Sequence, residues 1–217
     1  MNRTLKNYLL GPLLLLIGTG LSFGQEQSNE GKEAAYTRVV NERAAKIVAT
    51  LGITDATTTD KVQQLIAQQY RNLNDIHENR KSALANLTDK TEKETVEKEA
   101  STKLTALHNN FLTSLGQALN PQQIDQVKDG MTYGVVPITF KGYQAMLPDL
   151  TDAQKTQILA WLTEARERAM DEGTSKEKHA MFGKYKGRIN NYLSAAGIDM
   201  KKASKEWEER IAREKSK

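Results

Sequence analysis

The sequence predicts an all-α fold, a compact bundle of about six or seven helices with one long, irregular, aromatic-rich loop. Three observations carry this. Apolar residues recur at alternating steps of three and four over long stretches, as in Phe182, Tyr185, Ile189, Tyr192 and Ala196. Several of these stretches open on a capping signature, such as Thr151 with Gln154 or Thr174 with Glu177, and close on glycine. No segment shows the sustained apolar–polar alternation of a half-buried strand, and no period of solenoid length recurs.

Residues 1–24 read as a secretory leader outside the fold: Arg3 and Lys6 form a basic start, Tyr8 to Leu21 an apolar run, and small residues stand before Gln25. Cleavage near Gly24 would deliver a periplasmic or secreted chain. The run is too short and too rich in glycine for a membrane span, which needs about 20 apolar residues. Residues 25–217 then read as a single all-helical domain, with a long-helix part at 25–119 and a shorter-helix part at 120–217 that holds the loop at 131–149.

In the long-helix part, Tyr36, Val39, Val40, Ile47, Val48 and Leu51 keep helical spacing until Gly52. Thr57 to Thr59 supply cap chemistry for a second helix bearing Val62, Ile66, Leu73, Ile76, Leu84 and Leu87. A turn near Asn86 to Asp89 and a charged run lead into a third, with Ala100, Leu104, Leu107, Phe111, Leu115 and Leu119. Asn120 caps a fourth, with Pro121 at its first position and Gly130 as its stop. Met131 to Asp149, with Pro137, Pro148, Gly134 and Gly142, reads as the loop. Helices follow from Thr151 to Gly173, from Thr174 to Gly197, and after Asp199.

Composition bounds the chemistry. There is no cysteine, so disulfides, thiolate metal sites and a lipid-modified cysteine anchor are excluded and the core must stand alone. Without the leader, which holds two of the 31 Lys and Arg and none of the 27 Asp and Glu, the charge is 29 − 27, or +2. That balance does not suit a nucleic-acid partner. His77, His108 and His179 fall on three separate helices without a paired spacing, so no metal or other cofactor is expected.

The helix from Lys178 to Gly197 is the most suggestive stretch. Lys184, Arg188 and Asn191 share one stripe, flanked by Tyr185 and Tyr192, while Gly183 and Gly187 leave a smooth surface beside them. Flat aromatic faces with planar hydrogen-bonding groups at their rim suit a pyranose, and Lys or Arg suits an acidic one. The same stripe also reads as core with snorkelling cations. If the glycines exist to admit another element, the loop 131–148 is the visitor, Tyr133 and Tyr143 join Lys184, Tyr185, Arg188, Asn191 and Tyr192 around one groove, and Gly187→Ala should destabilise the protein. Trp161 reads as core or its boundary, and Trp207 as the anchor of the last helix.

Two resemblances arise. "LTDAQ" at 150–154, with "LNPQQ" at 119–123, is similar to the LTxxQ element of small periplasmic stress chaperones. "YTRVVNERAAKIVATLGI", "QYRNLNDIH", "MTYGVVPITFKGYQAMLPDLT" and "KHAMFGKYKGRINNYLSAAGIDMKKAS", in that order, resemble a domain-of-unknown-function family of secreted proteins from polysaccharide-degrading bacteria of the Bacteroidota type, with a conjectured sugar-binding role. The second resemblance implies a non-catalytic partner of carbohydrate, an acidic plant or algal fragment. The first implies a chaperone or envelope-stress protein. A third reading is a small polysaccharide lyase or hydrolase, in which Tyr185, Arg188 and His179 would serve a uronate. The sequence identifies no catalytic pair and leans away from an enzyme.

Overall fold

The computed structural model describes residues 22–215, with side chains over 31–214. The leader expected at 1–24 lies outside the described residues except for its last three, which begin the first helix. The chain divides into two compact units, Met1–Val39 and Val40–Lys217. In the first, the described residues form the leading part of α1 (Ser22–Val48), and most side chains from 31 to 39 are exposed.

The second unit holds the end of α1 and seven further helices: α2 (Ala56–Leu84), α3 (Lys90–Gly116), α4 (Pro121–Met131), α5 (Val135–Met146), α6 (Asp152–Ala169), α7 (Ser175–Ala195) and α8 (Met200–Lys215). The described residues are thus all-helical, with eight helices and no strand. Two antiparallel hairpins, α2 with α3 and α6 with α7, form the main pairings, while α4 bridges α3 to α6, and α5 and α8 close over the second hairpin.

Caps follow the sequence closely. Asn120, Thr151 and Thr174 each accept from the backbone of the third helical residue, whose side chain returns the bond, so α4, α6 and α7 all open on capping boxes. The LTxxQ-like elements thus serve as helix caps, and Gln123 Nε2 also donates to the Leu51 carbonyl at 3.0 Å. Asp199 caps α8 through the Lys202 amide. At α2 the cap is Asp55, not the threonines after it: its carboxylate accepts from Thr58 N at 2.7 Å. Hydrogen bonding from the Thr58 side chain, and then from that amide, holds the Asp55 carboxyl below its ordinary range.

The expected loop at 131–149 is mostly helix, because α5 occupies Val135–Met146. Its breakers stand where a helix tolerates them. Pro137 lies in the first turn, whose amides have no intrahelical acceptor, and Leu147 leaves the helix immediately before Pro148. The turn from α4 is tight: Gly134 N donates to Asp129 O at 2.8 Å and Tyr133 N to Gly130 O at 3.4 Å, a Schellman closure with Tyr133 at φ 61° and Gly134 at φ 64°. Gly130, expected to stop α4, is instead inside it and faces Ile47.

The core of the second hairpin joins Val136, Tyr143 and Leu147 to Ile158, Leu162, Ala165 and Ala169 of α6 and Phe182, Tyr185, Ile189 and Leu193 of α7. Arg210 of α8 donates to the Ala145 and Met146 carbonyls and so caps α5. Lys178 is buried and donates to the Ala169 and Met170 carbonyls at 3.0 and 2.9 Å, closing α6 in the same way. Burial pushes its pKa down to about 8.

Among the described residues, no other element packs on the two glycines of α7. A Cβ at Gly183 or Gly187 would meet nothing within 4 Å. The groove built on that contact is absent, and so is the reason for Gly187→Ala to destabilise.

Candidate functional site

Two polar clusters stand out in the second unit. The first is an ionic network in which most partners are remote in sequence. Arg166 of α6, whose side chain is only 7 % exposed, donates to Asp125 Oδ1 at 2.6 Å and to Asp129 Oδ1 at 2.9 Å on α4. Burial opposes its charge, but the hydrogen bond to Asp129 and the fields of Asp129, Asp125 and Glu167 more than offset that, and the Arg166 pKa ends above its ordinary value. Glu167 accepts from Lys128 Nζ at 2.8 Å and lies 3.8 Å from His108 Nε2 of α3. His108 Nδ1 is 2.8 Å from Asp171 Oδ2, and the Asp171 carbonyl accepts from His77 Nε2 of α2 at 2.8 Å. The network ties α2, α3, α4 and α6 together. One flank opens on a groove of about 630 Å³ whose other walls are Val136, Pro137, Phe140, Leu159 and Thr163.

Its pH dependence has a definite sign. The hydrogen bond to Asp171 raises the His108 pKa, burial and Lys128 oppose, and the charges of Asp171 and Glu167 add to the rise. The bound proton therefore stabilises the fold fully below the unfolded value of about 6.5, and this contribution disappears as pH climbs through the raised folded value. In urea melts, wild type should lose stability across that window relative to His108→Gln. Parallel profiles for the two proteins would show that the folded structure does not raise the His108 pKa.

The second cluster lies on the exposed side of the α6–α7 hairpin. The Arg188 guanidinium sits 4.6 Å from the centroid of the Trp161 ring, and Tyr192 meets the same indole edge-on at 5.3 Å. Glu164, one turn along α6, accepts from Tyr185 Oη at 2.7 Å and from Arg168 at 3.2 Å, and lies 3.8 Å from Arg188. The hydrogen bond from Tyr185 holds the Glu164 carboxyl below its usual range, with Arg168 and Arg188 adding to it. Burial, then the bond to Glu164, pushes the Tyr185 phenol up. Periodicity explains the assembly: residues 161, 164 and 168 share one stripe of α6, and 185, 188 and 192 share the facing stripe of α7.

Of the seven residues singled out from sequence, three come together here: Tyr185, with its ring in the core and its hydroxyl on Glu164, Arg188 and Tyr192. Lys184 and Asn191 are exposed on the same helix. Tyr143 is core: it is buried, its hydroxyl donates to Asn190 Oδ1 at 2.7 Å, and burial pushes its pKa up to about 12. Tyr133 is elsewhere, stacked on His179 at 5.3 Å. Position 179 is nine residues from 188, about 13 Å along α7 and half a turn around it. Trp161 is partly buried and packs on the core, in line with its reading as core or core boundary. Glu164 is not among the residues singled out, because nothing local along α6 ties it to the facing helix.

Among the described residues no group of three His, Asp or Glu is placed to hold a metal, and no helix is long and apolar enough to cross a membrane. Fold and site thus define an all-helical bundle protein with an exposed aromatic and charged face. A family model described as "Protein of unknown function (DUF3826)" matches residues 37–213, and the chain belongs to that family. No curated protein matches it.

Proposed function

We propose that the protein binds carbohydrate without transforming it, and that an acidic oligosaccharide docks on the Trp161 face of the α6–α7 hairpin. The observation that carries this reading is the partly buried Trp161 indole at the edge of the core, with the Arg188 guanidinium over its ring and Tyr192 edge-on beside it. Arg188 is 56 % exposed, so a uronate carboxylate can draw its guanidinium into a bidentate pair and leave the indole face to the sugar ring. Glu164, held by Tyr185, supplies a fixed acceptor for hydroxyls. Export through the leader at 1–24 belongs to the same reading, since such polymers lie outside the cytoplasm.

Calorimetric titration with matched neutral and uronate oligosaccharides, trigalacturonate and polygalacturonate included, tests it. Binding of the uronates is expected, weakened about tenfold or more by Trp161→Ala, in line with the loss of one stacked ring. Arg188→Met should narrow the preference for uronate over neutral sugar. A folded wild type that binds none of these sugars would overturn the proposal.

A further inference from the structure

Tyr133 occupies a backbone position that glycine fills at no steric cost. The Schellman closure of α4 requires a left-handed residue after the cap, and Tyr133 takes φ 61° there, the only non-glycine with positive φ among the described residues. A bulky aromatic in that region is a conformational outlier, and such strain persists where the surroundings or a function hold it. Burial does not hold it, since Tyr133 is 47 % exposed. What the left-handed backbone does is carry the ring away from α4 and lay it on His179 of α7, with 28° between the ring planes.

His179 is itself exposed, and its orientation is set by the Ser175 carbonyl 2.8 Å from Nδ1. That bond needs the proton on Nδ1, which leaves Nε2 of the neutral ring as an acceptor. The pair therefore offers aromatic surface, a phenol hydroxyl and an acceptor nitrogen. Ile138, 69 % exposed, extends the apolar surface beside Gly134, against which its side chain lies.

We infer that Tyr133 and His179 form a second sugar-stacking platform, separate from the Trp161 face and on the opposite side of α7. The inference rests on the carbohydrate reading above. One long glycan engaging both platforms gains avidity that a short fragment reaching only one does not. Strain accepted at an exposed ring is then the cost of presenting it.

Titration of wild type, Tyr133→Gly, Tyr133→Phe and Trp161→Ala with polygalacturonate and with trigalacturonate, alongside thermal melts, tests this. Tyr133→Gly is expected to raise Tm, because it removes the left-handed strain, while lowering polymer affinity about tenfold and leaving the Trp161-dependent trisaccharide binding unchanged. Tyr133→Phe should retain polymer affinity. Polymer binding that falls in Trp161→Ala but not in Tyr133→Gly would overturn the second platform and leave the first standing. A wild type silent towards both probes would overturn the carbohydrate function itself. Loss of a concentration-dependent dimer in Tyr133→Gly, with polymer affinity unchanged, would overturn the platform and assign the ring to self-association.

Discussion

Arg166→Met is expected to destabilise the protein by about 3 kcal/mol, near the lower end of the cost of breaking a buried ion pair by removing one partner. The guanidinium is 7 % exposed and serves three carboxylates, but those carboxylates differ. Asp125 is 59 % exposed and water can replace its partner, and Glu167 keeps Lys128 at 2.8 Å, whereas Asp129, at 27 %, would be left largely without compensation. Methionine keeps most of the aliphatic stem, so the loss reports charge and hydrogen bonding rather than a cavity. Urea unfolding with an unchanged m-value is the measurement. Arg166→Lys should recover only part of the loss, since an ammonium cannot reach Asp125 and Asp129 in the same fork. A change within about 0.5 kcal/mol for Arg166→Met would show that water already screens the network.

The second large effect is a pair of opposite signs within one class of substitution. Gly173→Ala should destabilise by about 1 to 3 kcal/mol, the usual range for overpacking. A Cβ there would lie 2.9 Å from His77 Cγ, and the imidazole cannot yield freely because its Nε2 is held on the Asp171 carbonyl at 2.8 Å. Gly130→Ala meets Ile47 Cγ1 at 2.7 Å and should act in the same direction. Gly187→Ala and Gly183→Ala, in open space on α7, should each stabilise by up to about 1 kcal/mol through helix propensity. Thermal melts of the four variants decide the matter. A loss of stability in Gly187→Ala would restore the close contact that its surroundings now lack.

These glycines show where sequence reasoning reaches its limit. Two glycines within a helix announce a local cost wherever they fall, but what stands opposite them depends on how that helix is rotated against its neighbours. At Gly173 and Gly130 the neighbour is a side chain from α2 or from the end of α1, more than eighty positions away. Nothing local marks it.

What the sequence determined by itself was whatever is local along the chain. The capping boxes at Asn120, Thr151 and Thr174 need only four consecutive residues, the turn between α2 and α3 needs only its polar run, and the all-α class follows from a period written into each segment. Local signals also misled at 131–149: prolines and glycines read as breakers, yet a first-turn proline and an interior glycine are compatible with α5 once its apolar face packs on α6. Tertiary structure alone decided the rest. It set Arg188 over Trp161, buried Tyr143, carried Tyr133 to His179, and brought His108 to Asp171 across 63 positions. The physical reason is that helix rotation and register are chosen by the whole packed interior, a sum over many weak contacts, and no short stretch of chain contains that sum.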